Sequence, residues 1–112
     1  MRHRPTLIAL AVAGAAALSG AALGCSKSSA PSDPTLAKGQ QVYAQNCASC
    51  HGENGEGVVA PPLVGVAKTY PDIEKQIALI SNGVKGSSMP AWKDKLSAED
   101  IRAVAEYTRS LQ

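Results

Sequence analysis

Cys47-Ala48-Ser49-Cys50-His51 is the stretch that decides how this 112-residue sequence is interpreted. A Cys-x-x-Cys-His run is the attachment site of a c-type haem. Two thiols three positions apart can each add to one of the two vinyl groups of a single porphyrin, and the next residue brings an imidazole to the iron. The run therefore predicts one covalent haem c, attached through Cys47 and Cys50, with His51 as an iron ligand.

Two other kinds of site also use paired cysteines. A thioredoxin-like dithiol follows a strand in a β-α-β unit, whereas this pair follows a helical pattern with no alternating strand pattern nearby. A structural zinc site needs four ligands, and the sequence has three Cys in all, with no second Cys pair. Haem attachment is therefore the favoured interpretation.

The small number of other ligands indicates the second axial position. The two His are His3 and His51, and the two Met are Met1 and Met89. Since the first residue of each pair lies in a segment expected to be removed, the mature chain keeps one imidazole and one thioether, which together can hold a haem iron. His51 and Met89 are therefore the predicted axial ligands. There are two alternatives. Met89 could only fill the core, or the sixth position of the iron could be open to small ligands.

The N-terminus has the features of a secretory signal. A basic start, residues 1–4, precedes an Ala- and Leu-rich run over residues 7–23, after which small residues lead to Cys25. Residues 1–24 are therefore predicted to be a signal peptide, and the protein is expected to be exported to the periplasmic side. An uncleaved membrane anchor is the less favoured interpretation, because Gly residues interrupt a run that is short for a membrane span.

Cys25 is the candidate for lipid attachment. Ala22-Leu23-Gly24-Cys25 resembles the lipobox of bacterial lipoproteins, in which the Cys becomes the first mature residue and carries lipid, although the Leu stands one position late. Ordinary cleavage nearby would instead leave an unpaired exported thiol. The resemblance implies membrane contact through a lipid anchor at Cys25; without it, the protein would be soluble in the periplasm.

The remaining sequence divides into a linker and one domain. Residues 25–34 are small, polar and Pro-containing, which is typical of a flexible linker, and residues 35–112 are the predicted domain. The sequence has no Phe, one Trp and three Tyr, and such a small domain usually needs an additional stabilising group. Without Arg2 and Arg4, nine Lys and Arg balance nine Asp and Glu, so no excess of basic residues indicates nucleic-acid binding.

Three helices are predicted in the domain. The first covers residues 35–46, where apolar side chains recur at spacings of three and four, and its cap is Asp33 or Thr35. The second covers residues 71–81, with Pro71 in its first turn.

Ser97 is the predicted N-cap of the third helix, which has Glu99 and Asp100 in its first turn. Gly- and Pro-rich stretches, residues 52–70 and 83–95, are predicted loops. The fold class is all-α, and loops of this length in a small domain are expected to wrap a cofactor.

With the attachment run after a first helix and a Met in a late loop, the domain resembles the class I cytochromes c over roughly residues 36–111. Gly39 and Tyr43 lie eight and four positions before the first attachment Cys, where that family has a Gly and an aromatic residue. Val104 and Tyr107 match the apolar and aromatic pair of its last helix. The resemblance implies that these two helices cross at close range, with the Gly making room.

The resemblance also implies roles for two loops beside the haem. Pro61-Pro62-Leu63 is similar to the family's Pro-x-Leu loop, in which the Pro carbonyl accepts a hydrogen bond from the axial His. Pro61 is therefore expected to orient the His51 ring.

Met89-Pro90-Ala91-Trp92 resembles the ligand loop of small bacterial members of that family. Trp92 is expected either to contact the haem, at its edge or through a propionate, or to serve in core packing alone.

The implied function is one-electron transfer in an exported, respiratory chain, with redox proteins as donors and acceptors and a monomeric head domain. The sequence offers no acid–base pair in a substrate pocket, so the chain is not expected to be an enzyme in its own right. Two alternatives remain. One is a haem-bearing subunit of a larger oxidoreductase complex, and the other is a peroxidase-like or gas-binding protein with an open iron site.

Overall fold

The computed structural model describes residue 20 and residues 29–112. Apart from Gly20, the predicted signal peptide lies outside these residues, as does the predicted lipid-attachment residue Cys25. The described part of the chain is helical and contains no strand, which confirms the all-α fold class. None of its helices combines the length and the apolar character that crossing a bilayer requires.

Six helical segments follow one another in the described residues: α1 (Pro34–Asn46), α2 (Ala48–His51), α3 (Val66–Thr69), α4 (Ile73–Asn82), a 3₁₀ helix (Trp92–Asp94) and α5 (Ala98–Ser110). The helices α1, α4 and α5 correspond to the three predicted ones. The one-turn helix α3 and the 3₁₀ helix lie in stretches predicted as loops, because Gly and Pro dominate their surroundings and single turns carry little periodicity.

The start of α1 is set by Asp33. Its carboxylate accepts hydrogen bonds from the backbone N–H groups of Thr35, at 2.8 Å, and Leu36, at 3.2 Å. Asp33, rather than Thr35, is therefore the N-cap, and Pro34 occupies the first helical position, where its missing N–H costs nothing.

The starts of α4 and α5 use the same chemistry. The Asp72 carboxylate accepts from the Glu74 N–H at 2.9 Å, so α4 begins after Pro71, which the sequence had indicated as part of its first turn. The Ser97 hydroxyl accepts from the Asp100 N–H at 3.0 Å, as predicted. Caps of this kind stabilise a helix by about 1 kcal/mol each.

The crossing of α1 and α5 lies at the centre of the fold. A Cβ on Gly39 would clash with the Ala103 carbonyl oxygen and would lie 2.6 Å from the Tyr107 Cβ, so the two backbones approach as closely as glycine allows. One turn on, Tyr43 is 1% exposed, and its ring centroid lies 5.4 Å from that of Tyr107 at a tilt of 55°. Tilted aromatic pairs contribute about 0.5–1.5 kcal/mol beyond their buried area.

The core is formed by side chains of all three long helices, namely Val42, Tyr43, Ile80, Ile101, Val104, Ala105 and Tyr107. Partly buried residues from the attachment run and the loops pack against this core, among them Cys47, Leu63, Met89, Trp92 and Leu96. The segments that carry the predicted haem residues are therefore held directly by the three-helix core.

A buried polar cluster joins α4 to α5. The Gln76 side-chain amide donates to the Thr108 hydroxyl at 2.8 Å, and both residues are 3% exposed. The Arg109 guanidinium donates to the Gln76 side-chain oxygen at 3.2 Å and to the carbonyls of Tyr70 and Pro71 at 2.7 and 3.1 Å. These bonds fasten the end of the long loop to α5, and they leave the buried polar atoms satisfied.

Replacing Gly39 by Ala tests the close crossing of α1 and α5. Alanine favours a helix over glycine by about 1 kcal/mol, but the clash with a backbone carbonyl is expected to outweigh this and lower the free energy of unfolding by about 1–2 kcal/mol net. Urea denaturation measures the change. Gln41→Ala, on the exposed face of α1, is the control, and equal stability of the two variants would contradict the crossing.

Candidate functional site

The attachment run, residues 47–51, forms one helical turn directly after α1, the attachment turn. The Cys47 N–H donates to the Tyr43 carbonyl at 2.8 Å, and the His51 N–H donates to the Cys47 carbonyl at 3.0 Å. Both thiols are free, with Cys47 half-buried and Cys50 exposed. Two free thiols and an imidazole are therefore presented together by one short, hydrogen-bonded segment.

The thiol environment does not fit a redox dithiol. Burial raises the pKa of the Cys47 thiol to about 11, with a smaller contribution from Cys50. Thioredoxin-like dithiols depend on a lowered thiol pKa instead, and here the pair follows a helix. Zinc is also disfavoured, because no three His, Cys, Asp or Glu side chains of residues 29–112 come together as a metal site.

The His51 ring has an acceptor at one nitrogen. Its Nδ1 lies 2.8 Å from the Pro61 carbonyl oxygen, which favours the tautomer with hydrogen on Nδ1 and leaves the Nε2 lone pair available to a metal. The His51 carbonyl accepts from the Gly57 N–H at 2.7 Å. The donor set, two free thiols and an imidazole with an available Nε2, fits a c-type haem; ligation itself remains a prediction.

The loop after the attachment run folds back onto it. The N–H groups of Val58, Val59 and Ala60 all point to the Cys50 carbonyl oxygen, at 3.2, 3.1 and 3.0 Å. This return brings Pro61 beside the histidine ring. Val58 and Val59 stay 68% and 78% exposed beside the attachment run.

Met89 is half-buried against the core and lies at the end of a closed loop. The Val84 N–H donates to the Met89 carbonyl at 3.2 Å, and the Met89 N–H donates to the Ser87 hydroxyl at 3.2 Å. Gly83 ends α4 with a φ of +69°, and a Cβ there would lie 2.6 Å from the Pro90 carbonyl carbon. The path of the Met89 backbone therefore depends on glycine at position 83.

Trp92 begins the 3₁₀ helix and packs partly buried against the core. The Lys95 ammonium lies 5.4 Å from the centroid of its ring, within the range of a cation–π contact. Lys93, on the same turn, donates to the Asn82 side-chain oxygen at 3.1 Å. Core packing of Trp92 is thus present in the structure, and its contact with a haem remains a prediction.

One contact of the site was not predicted from the sequence. The Tyr43 hydroxyl donates to the Gly52 carbonyl at 2.6 Å in a buried position. Burial raises the pKa of Tyr43 to about 12, so the hydroxyl keeps its proton at physiological pH. The sequence analysis assigned Tyr43 only to the helix crossing, because a hydrogen bond to a backbone carbonyl leaves no residue pattern.

These features define a c-type cytochrome domain: two terminal helices crossing at a glycine, an attachment turn with free thiols and a histidine, and a methionine in a late loop. Residues 34–107 match the family described as cytochrome c oxidase, cbb3-type, subunit III. The chain belongs to this family, and its described residues form a c-type cytochrome domain.

Two relatives with sequence similarity are named as oxidase subunits. The cbb3-type cytochrome c oxidase subunit CcoP of Rhodobacter capsulatus is 42% identical over 93 residues, which cover 72% of this chain and 31% of that protein. Subunit FixP of Azorhizobium caulinodans is 39% identical over 87 residues, covering 73% of this chain and 29% of that protein. The chain therefore spans about a third of the length of these relatives.

Solved structures of small cytochromes share the fold. Cytochrome cL of Methylophaga aminisulfidivorans superposes with a TM-score of 0.63 at 26% identity, over 70% of this chain and 54% of that one. Cytochrome c6C of Synechococcus sp. PCC 7002 superposes with a TM-score of 0.56 at 32% identity, over 64% of this chain and 90% of that one. The resemblance to the class I cytochromes c is thereby confirmed at the level of the fold.

Replacing Gly83 by Ala tests how the Met89 loop is held. The new Cβ would press against the Pro90 and Met89 carbonyl groups and would require a positive φ, so we expect the loop to shift. With Met89 as the predicted iron ligand, we expect the haem-loaded variant to lose the weak sulfur-to-iron absorption band that this ligation predicts in the far red. Gly86→Ala is the matched control, since its φ of +81° imposes similar strain but nothing lies within 4 Å of its Cβ. An unchanged band in the Gly83 variant would contradict this role.

Proposed function

We propose that this chain carries one electron at a time by means of a single haem c, attached through Cys47 and Cys50, with His51 and Met89 as axial ligands. The observation that carries the proposal is the donor set of the attachment turn. Its two thiols are free, and the Nδ1 of its histidine already faces the Pro61 carbonyl. The bound haem supplies an iron that takes up and releases the electron.

The protein side chains have distinct tasks in this proposal. Cys47 and Cys50 prevent loss of the cofactor by forming thioethers. His51 offers Nε2 to the iron, while the Pro61 carbonyl holds the Nδ1–H and so orients the ring. The Met89 thioether would be the second iron ligand and would stabilise the reduced state, which favours a high potential for a c-type haem. Trp92 packs beside this loop and is the candidate contact to the haem edge or a propionate.

Export and a lipid anchor belong to the same proposal. A signal peptide over residues 1–24 would deliver the chain to the periplasmic side, and a lipid on Cys25 would tether it to a membrane. The polar linker, residues 25–34, would then let a monomeric head reach redox partners that are themselves close to the membrane.

A second candidate function is that of a permanently bound subunit of a cbb3-type oxidase. The family match and the named relatives favour it, since those relatives are oxidase subunits. The haem site is the same in both cases. The two differ in whether the protein purifies alone or only together with other subunits of an oxidase.

Mass spectrometry of the full chain, produced in a host that attaches c-type haem, tests the attachment. We expect the mass of one haem on the wild type and none on the Cys47→Ala/Cys50→Ala double variant. We also expect acyl mass on the wild type that is absent from Cys25→Ser, a variant that keeps its haem. A colourless wild-type protein would refute the proposed carrier, whereas a wild-type mass without acyl groups would refute only the anchor.

Replacing Met89 by Ala tests the sixth ligand. We expect the wild type to show the far-red sulfur-to-iron band and to bind CO slowly or not at all when reduced, because both axial positions are filled. The variant should lose the band and bind CO promptly. Prompt CO binding by the wild type would instead support the gas-binding or peroxidase-like alternative with an open iron site.

A further inference from the structure

Three hydrogen bonds converge on the two residues at the end of the attachment turn. The Pro61 carbonyl oxygen accepts from the His51 Nδ1, at 2.8 Å. The Gly57 N–H donates to the His51 carbonyl, at 2.7 Å. The third bond comes from outside the loop, since the Tyr43 hydroxyl of α1 donates to the Gly52 carbonyl at 2.6 Å. It is the one of the three that connects this corner to a long helix.

The Tyr43 side chain can act as a rigid support. It is 1% exposed and is wedged between the attachment turn and α5, where its ring contacts that of Tyr107. A buried tyrosine has few accessible rotamers in such a packed position. Its hydroxyl therefore holds the Gly52 carbonyl at a position set by the crossing of α1 and α5.

Gly52 is a point where the chain needs such support. Its φ of +89° and ψ of 155° fall in a region that only glycine visits readily. A Cβ at this position would clash with the Glu56 side chain. The backbone reverses here directly after the predicted axial histidine, so a shift of Gly52 is transmitted to the His51 backbone and to the loop that carries Pro61.

We propose that Tyr43 is a positioning residue for the axial ligand: its hydroxyl fixes the Gly52 carbonyl and thereby keeps the His51 ring within hydrogen-bonding distance of the Pro61 carbonyl. This inference rests on the proposed function, because it assumes that His51 binds the iron. It goes further by assigning a task to a hydroxyl that the helix crossing itself does not need. Phenylalanine would fill the same space and keep the ring contact with Tyr107.

The test compares Tyr43→Phe with Tyr107→Phe in the haem-loaded, reduced protein. The control removes a hydroxyl from the other ring of the pair, and that hydroxyl has no hydrogen-bond partner within residues 29–112. NMR measures exchange of the His51 Nδ1–H with solvent, relative to the slowest backbone amides of α5, which report global opening. In Tyr43→Phe we expect the exchange rate of the Nδ1–H to rise about tenfold more than the exchange rates of those amides. This factor corresponds to the loss of one buried hydrogen bond.

Each outcome distinguishes a different failure. Equal acceleration of the Nδ1–H and the α5 amides in Tyr43→Phe would overturn the proposal, because the hydroxyl would then only stabilise the fold. The same would follow if Tyr107→Phe accelerated the Nδ1–H as much as Tyr43→Phe. A wild-type protein whose His51 ring resonances do not shift between the oxidised and reduced states would refute iron ligation, and with it the proposed function itself.

The reduction potential supplies a second readout that lost stability alone would not move. The hydrogen bond from Nδ1 to a carbonyl makes the imidazole a stronger donor to iron, which favours the oxidised state. A weakened contact in Tyr43→Phe should therefore raise the reduction potential, whereas Tyr107→Phe should keep the wild-type value. An unchanged or lowered potential in Tyr43→Phe would contradict the positioning role.

Discussion

The contact between α1 and α5 at Gly39 is the constraint on which the rest of the molecule depends. Because a side chain at this position would meet the Ala103 carbonyl, the two helices can approach closely only with glycine. This approach buries the Tyr43 and Tyr107 rings against each other. Since the attachment turn follows α1 without a break, the crossing also determines where the two thiols and the imidazole are presented.

The position of Met89, the proposed second axial ligand, depends on a different glycine at the other end of the domain. Gly83 ends α4 and lets the Met89–Pro90 backbone pass directly over it, and the Val84 N–H then closes the loop on the Met89 carbonyl. Both segments that carry a proposed ligand thus start at the end of a core helix and use a glycine at the first sharp turn. Such an arrangement favours electron transfer, because ligands that are held by a packed core change little in geometry between oxidation states.

The sequence predicted what local patterns and chemistry can encode. Ser97 followed by acidic residues predicted the start of α5, and the attachment run predicted the haem site because the spacing of its two Cys matches the two vinyl groups of a porphyrin. It did not predict the bond from Tyr43 to the Gly52 carbonyl, or the cluster of Gln76, Thr108 and Arg109. These contacts join positions that are distant in the chain or have a backbone acceptor, so they arise only when the helices pack.

The exposed surface bears on the choice between a mobile carrier and a permanent subunit. Within residues 29–112, the large apolar side chains that remain exposed are Val58, Val59, Val64 and Val84. The first two lie beside the attachment turn, where an electron would enter or leave. A permanent interface typically buries roughly 2,000 Å² or more and is rich in apolar side chains. A few exposed valines suit a brief contact instead. The exposed valines therefore support the proposed carrier, which would meet its partners transiently, over the proposed permanent subunit.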